Sequence, residues 1–205
     1  MAQFPEIQAL FESNKLWAEK VKETDPELFP TQSKGQAPKI LWIGCADSRV
    51  PESVIMARKP GEIFVMRNVA NQFQAGDDSA NALLEYAVGP VGVEHVIVAG
   101  HTGCGGCIAA HASPLPTETS SSPLMRFLDP VIRLRHSLGE RADVDELIVA
   151  NVKRNVQNVI NSPAMKDAWA RAAKGERPPV HIHGWLYNLS TGQLEDLDVS
   201  VGAKA

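Results

Sequence analysis

The chain has 205 residues, of which 44% are hydrophobic and 21% charged, with a formal net charge of −4 at pH 7. That length suits one domain with a sizeable core, and the composition is that of a soluble globular protein. The acidic balance and scattered lysines and arginines give no electrostatic footprint for a nucleic-acid partner, and no apolar run approaches the roughly eighteen residues that span a bilayer.

The N-terminal stretch through Glu23 lacks the basic and apolar regions of a signal peptide, and Glu6 and Glu12 argue against a transit peptide. Three cysteines, an odd number, suit a reducing compartment better than a disulfide framework. The expected location is cytoplasmic, with an organellar mature form already stripped of a presequence left open.

Residues 5–23 place Ile7, Leu10, Phe11, Leu16, Trp17 and Val21 on a helical stripe, which Pro26 and Pro30 break. Strands are expected at 40–44, 62–66, 95–99 and 180–187. The first three are near-continuous apolar runs, the pattern of parallel strands buried on both faces. A helix opening at Asp77-Asp78 puts Leu83, Leu84 and Ala87 on one face, behind acidic capping residues. Two more helices are expected over 123–137 and 143–162, the second with Val149, Val152, Val156, Val159 and Ile160 at helical spacing. Residues 114–123 read as a surface loop, and the C-terminal stretch as a hairpin turning at Thr191-Gly192.

Alternating strands and helices imply an α/β fold: a central, mainly parallel sheet flanked by helices, with an N-terminal helical arm and a C-terminal hairpin. The expected organisation is one domain over 1–205. It comprises an arm (1–34), an α/β core (35–111), a helical region (112–178) and a C-terminal strand region (179–205).

Chemistry collects at two strand ends. Cys45, in the run CADSR, follows the first strand, and His101 and Cys104, in HTGCGG, follow the third. Sites in open α/β sheets gather where the carboxyl ends of strands meet the next loops. Two thiolates and an imidazole are three good zinc ligands, and a fourth position left to water is the catalytic pattern. Asp47 and Arg49 sit between them, placed to act on whatever fills that position. Other readings compete for some of these residues. Cys104 and Cys107 have the C-x-x-C spacing of a thiol–disulfide motif, which leaves Cys45, Asp47, Arg49 and His101 without roles. The glycines of GHTGCGG would suit a phosphate loop, but its lysine and hydroxyl are absent. His181 and His183 share one strand face and could bind metal, or be ordinary strand residues.

CADSRVP, GHTGCGG and HGWLYNLSTGQL together resemble the signatures of the β-class carbonic anhydrases, over a span from about Leu16 to Leu194. The resemblance implies a lyase that reversibly hydrates carbon dioxide to bicarbonate and a proton through zinc-bound hydroxide. It assigns one Zn2+ per chain to Cys45, His101 and Cys104, and a catalytic dyad to Asp47 and Arg49. It gives Gln36 a bicarbonate contact and makes Phe64, Val69 and Tyr86 an apolar wall for carbon dioxide. In the family this wall is shared across subunits, implying a homodimer or homotetramer with its active site at the dimer interface. Thr102 departs from the tyrosine or serine frequent at that position. Some members also close the site by swinging the dyad aspartate onto zinc, as a fourth ligand, when bicarbonate fills a second pocket. Trp42, Arg67 and Tyr187 match that non-catalytic pocket, with Gly44 beside Cys45; a packed core and an ion pair are the alternative reading of these three.

Overall fold

A computed structural model of the chain describes residues 4–202. The chain divides into two compact units, one ending at Gln36 and one beginning at Ala37. The first unit holds α1 (Pro5–Thr24) and α2 (Leu28–Gln32), whose Trp17 and Phe29 rings meet edge-on at 5.7 Å. Pro5 sits at the start of α1, where a missing N–H costs nothing. The expected stripe of α1 lies open: Ile7, Leu10, Phe11 and Leu16 are all at least half exposed.

In the second unit five strands form one sheet, β1 (Ile40–Cys45), β2 (Ile63–Asn68), β3 (His95–His101), β4 (His181–Asn188) and β5 (Gln193–Asp196). Their order is β2-β1-β3-β4-β5. The first four run parallel, and β5 returns antiparallel beside β4. Strands β1 and β3 are buried along nearly their whole length, as continuous apolar runs require of central parallel strands. β2 departs from that expectation, with Met66 its only buried residue, because it is an edge strand covered less completely. The hairpin turns through Gly192, whose φ of +71° favours a residue without a side chain.

Helices α3 (Glu52–Ile55), α4 (Asp78–Tyr86), α5 (Gly105–Ala112), α6 (Pro123–Ser137), α7 (Val144–Asn161) and α8 (Pro163–Ala173) complete the unit. The Asp77 carboxylate accepts from Ser79 and Ala80 N–H to cap α4. Asp143 and Glu146 form a reciprocal capping box at the start of α7. Helix α8 is an addition to the elements expected from sequence. It is separated from α7 by Ser162 alone, which donates to Val159 O and caps α8 by accepting from Met165 N–H. On one sheet face Leu41, Ile43, Val96, Val98 and Ile182 pack with Leu84 of α4, Val152 and Val156 of α7, and Met165 of α8. Trp42, Ile97 and Ala99 form a core on the other.

Helix α7 approaches the sheet closely over β4. A Cβ on Gly184 would stand 2.5 Å from Val199 Cγ2, 3.1 Å from Val156 Cγ2 and 3.3 Å from Val152 Cγ1. Gly184→Ala is therefore expected to destabilise the fold by about 1–3 kcal/mol, the usual range for overpacking. Urea denaturation measures it; an unchanged midpoint would mean that the three valines yield without cost.

Candidate metal centre

The parallel register of β1 with β3 pairs Gly44 with Ala99, so Cys45 and His101 emerge at the same edge of the sheet. Cys104 is the third residue after β3 ends at His101, and is the cap residue of α5. The ligand atoms of Cys45, His101 and Cys104 all lie within 4.8 Å of one another, and all three residues are buried. The two sulfurs are 3.9 Å apart. Bonds of about 2.3 Å to a tetrahedral metal would put them about 3.8 Å apart.

His101 is oriented by its own loop. Its Nδ1 lies 2.9 Å from the Thr102 carbonyl oxygen, an acceptor only, so Nδ1 carries the proton and Nε2 keeps its lone pair. That Nε2 is buried and has no hydrogen-bond partner. A buried acceptor left unmatched is costly, and metal coordination through the second ring nitrogen, with the first donating to a carbonyl, satisfies it. Thr102 is itself tied to the hairpin: its N–H donates to Tyr187 O and its hydroxyl accepts from Leu189 N–H.

The donors are uncomfortable without a cation. A hydrogen bond with the Cys104 thiol, burial and the charge of that neighbour push Cys45 up to about 12. Cys104 is pushed up to about 11, chiefly by a hydrogen bond with Cys107. For His101 the largest influence, burial, disfavours charge, but the neighbouring Cys45 sulfur, the Thr102 carbonyl and the Asp47 carboxylate outweigh it and leave the imidazole raised. Divalent charge at this point reverses that balance and deprotonates thiols outright. The donor set therefore fits a metal ion. It fits a redox dithiol poorly, since reactive thiols are exposed and have lowered pKa, whereas Cys104 and Cys107 are both fully buried and free.

Asp47 and Arg49 stand beside this group. Arg49 Nε donates to Asp47 Oδ1 at 2.9 Å and Nη2 donates to Oδ2 at 2.7 Å, the paired geometry that suits guanidinium to carboxylate. The Arg49 N–H adds a third bond to Oδ1, and Nη2 also donates to Gly103 O. Asp47 Oδ2 is 3.9 Å from His101 Nε2, so the carboxylate faces the ligand cluster. The hydrogen bond from Arg49 holds the Asp47 carboxyl far below the usual carboxylate range, against the effect of burial. A depressed folded pKa contributes stability that is present above about pH 4 and is lost as pH falls through the folded value. Asp47 is thus fully ionised throughout the neutral range.

The remaining predicted residues divide. Val69 follows β2 and packs beside the start of α5, where a Cβ on Gly106 would be 2.8 Å from Val69 Cγ1. Phe64 and Tyr86 meet each other at 6.0 Å. Phe64 pairs with Leu41, whereas the β2 residue level with Cys45 is Asn68. The aromatic pair of one chain thus stands some four residues, roughly 13 Å, back from its ligand group, and Tyr86 is 50% exposed. Gln36 ends the first unit. Arg67 donates through Nε to Cys45 O and through Nη2 to Asp47 O; Nη1 is 3.9 Å from Glu52 Oε2. Trp42 packs edge-on against Trp185, and its Nε1 is buried without an acceptor. Tyr187 pairs with Leu194 across the hairpin. His181 and His183 join His95 in a stack on the sheet, with His95 Nδ1 3.0 Å from His183 Nε2 and His183 Nδ1 3.0 Å from Ser200 Oγ. Among the described residues only Cys45, His101 and Cys104 gather as a possible metal group. Sequence reasoning passed over Asn68, Gln72, Asn151, Asn155 and Asn158, whose amides bind the turn behind the site.

Residues 40–194 match the family model described as carbonic anhydrase. A carbonic anhydrase of Emericella nidulans is 36% identical over 196 residues, covering 93% of this chain and 82% of that protein. One of Saccharomyces cerevisiae is 33% identical, covering 92% and 87%. Among solved structures, one of two tetrameric β-carbonic anhydrases from Sordaria macrospora superposes with a TM-score of 0.85 at 30% identity, covering 97% of this chain and all of that one.

The donor geometry sets a direct expectation. Cys45→Ser and Cys104→Ser replace a soft thiolate with a poor ligand and should each lose bound metal, whereas Cys107→Ser should keep it. Elemental analysis of the purified variants decides. Metal retained by Cys45→Ser but lost by Cys107→Ser would overturn this ligand set.

Proposed function

The chain belongs to the β-class carbonic anhydrases, enzymes whose general reaction is carbon dioxide hydration, and from that premise we propose that Cys45, His101 and Cys104 hold one zinc ion per chain, with Asp47 and Arg49 as the catalytic dyad. The observation that carries this reading is the buried, unpartnered Nε2 of His101, grouped with two thiols and faced by an ionised carboxylate. A zinc ion held there supplies Lewis acidity, which makes water a nucleophile near neutral pH.

The chain's own groups do the rest. Ionised Asp47 can only accept hydrogen bonds, so it accepts one from the nucleophile's remaining O–H and thereby aims a lone pair at the substrate carbon. Arg49 keeps both carboxylate oxygens occupied, which fixes the acceptor direction and keeps Asp47 from taking the proton outright. Its bond to Gly103 O ties the dyad to the loop that carries Cys104. Val69 supplies apolar surface for an uncharged substrate. Phe64 and Tyr86, set back from their own ligand group and partly open, complete the wall for a second copy of the chain, so the working form is a homodimer or a homotetramer.

A second reading concerns regulation by bicarbonate at Trp42, Arg67 and Tyr187. The buried Trp42 N–H without an acceptor favours it, since an anion would satisfy that donor. Arg67 bonds the carbonyls of Cys45 and Asp47, so an anion that draws Arg67 away loosens the Asp47 loop. Trp42→Phe keeps an aromatic ring at this buried position and removes the donor. The wild type is expected to gain activity steeply and cooperatively between about pH 7 and 8.5, near or above the ionisation of such a water, and Trp42→Phe to follow a one-proton curve. A one-proton profile in both proteins would sink the regulatory reading and leave the hydratase intact.

For the dyad, Asp47→Asn both donates and accepts, so it misorients the nucleophile while leaving three metal ligands. Zinc content should stay at one per chain and stopped-flow hydration should fall at least about tenfold, some 1.4 kcal/mol of transition-state stabilisation. Near-normal turnover would reduce Asp47 to a structural ion-pair member.

A further inference from the structure

The turn after β2 is held almost entirely by side-chain amides. Ala70 has φ 63° and ψ 33°, and Asn71 has φ 45°, a left-handed conformation that disfavours residues with a Cβ. Buried backbone groups in such a turn have no strand or helix partner and need others. Asn68 Nδ2 donates to Gln72 O and its Oδ1 accepts from Gln72 N–H, both at 2.7 Å. From α7, Asn151 Nδ2 donates to Ala70 O at 2.8 Å, Asn155 Oδ1 accepts from Phe73 N–H at 2.8 Å, and Asn158 Nδ2 donates to Phe73 O at 2.9 Å. Asn155 Nδ2 in turn donates to Asn151 O and Oδ1, which locks the two buried amides together. Residues 151, 155 and 158 fall on one stripe of α7.

This turn touches every segment that carries a ligand. The carbonyl of Asn68 accepts from Ala46 N–H at 2.8 Å, next to Cys45. Val69 and Ala70 pack against Gly106, where a Cβ would meet them at 2.8 and 3.0 Å, two residues after Cys104. Asn71 Oδ1 lies 3.7 Å from a Cβ placed on Gly100, next to His101. The turn is a spacer between the three ligand-bearing segments, and its shape sets their separation.

We infer that Asn151 and Asn155 are positioning residues for the metal centre: by holding the left-handed turn at Ala70-Asn71 they fix the spacing of Cys45, His101 and Cys104. The inference rests on the zinc reading above. Without the Asn151 bond, Ala70 O loses its partner and the turn relaxes toward ordinary backbone angles. Cys104 and His101 then shift relative to Cys45, and the donor set grips its metal less well. A glycine at position 70 adopts the left-handed angles without strain, so the turn depends less on the clamp to keep its shape.

The experiment measures zinc release from the holoenzyme to a chromophoric chelator, alongside kcat and KM, for the wild type, Asn151→Ala, Ala70→Gly and the double variant. Asn151→Ala is expected to release zinc at least tenfold faster and to lose kcat more than it raises KM. Ala70→Gly alone should release zinc within about 1.5-fold of wild type, and the double variant should return to that range. A cavity left by the missing amide would be as harmful in the double variant, so failure of Ala70→Gly to rescue overturns the inference, as does unchanged release from Asn151→Ala. Should Asn151→Ala not fold, Asn158→Ala removes only the outer bond to Phe73 O and should speed release by about two- to threefold, wild-type release being the contrary result. A wild-type protein that holds no zinc would fail the metal assignment itself, an outcome distinct from these.

Discussion

The candidate metal centre depends on one constraint, the in-register parallel pairing of β1 with β3. Both strands end at the same edge of the sheet, with Gly44 level with Ala99, and only that alignment brings Cys45 beside His101. A slip of one residue would turn each side chain to the opposite face and carry Leu41, Ile43, Val96 and Val98 out of the core they share with α7. The hydrophobic pattern that fixes the register therefore fixes the ligand geometry as well. Strand β4 extends the same alignment, pairing His101 with Tyr187, and the loop after β3 is bonded to it through Thr102. The ligand edge is thus backed by three strands.

Burial and charge then act against each other at that edge. Two thiols and an imidazole are gathered in a buried position, where hydrogen bonds, of Cys45 with Cys104 and of Cys104 with Cys107, together with burial raise both thiols so that each resists becoming an anion. A metal cation held by these donors would turn this conflict into attraction, and part of its binding energy would then contribute to folding. Asp47 lies at the boundary, its side chain 16% exposed and that of Arg49 57% exposed. The guanidinium can hold the carboxylate ionised and oriented without itself being buried. A partly solvated pair avoids most of the desolvation cost that a fully buried one would carry.

Much of this was legible in the sequence for a physical reason. Soft ligands at strand ends, continuous apolar runs and capping carboxylates are local signals, and Cys45, His101, Cys104, β1, β3 and the cap at Asp77 all carry them. What escaped is non-local. Helix α8 is the exception, because Ser162 as cap and Pro163 at the first position are a local start signal that the apolar stripe of α7 overshadows. The edge position of β2 depends on topology, which its apolar run does not encode. Asn151 and Asn155 read as the polar side of an amphipathic helix, yet they are buried against a backbone about eighty residues away in sequence. Amides carry no periodicity that separates a solvated face from a clamp on a turn. His181 and His183 were visible as a pair, but their actual partners, His95 and Ser200, are brought in by strand pairing and by the returning C-terminal segment.

The choice of asparagine along α7 follows from what it must bind. The apolar stripe of this helix, Leu147, Ile148, Val152, Val156 and Val159, packs on the sheet and the neighbouring helices, and beside it the helix meets a turn whose carbonyls and N–H groups face it. Apolar residues there would leave Ala70 O and the Phe73 N–H and C=O buried without partners, each at a cost of about 1–3 kcal/mol. A charged residue would match a donor or an acceptor but not both, and would bring its own desolvation penalty. A carboxamide carries both functions without charge, so Asn155 can accept from the Phe73 N–H while donating to Asn151, and Asn151 passes that constraint to Ala70 O. A helix that packs by apolar contact on one stripe thereby sets backbone conformation on the next, and the ligand edge is aligned from behind by groups that need never touch the metal.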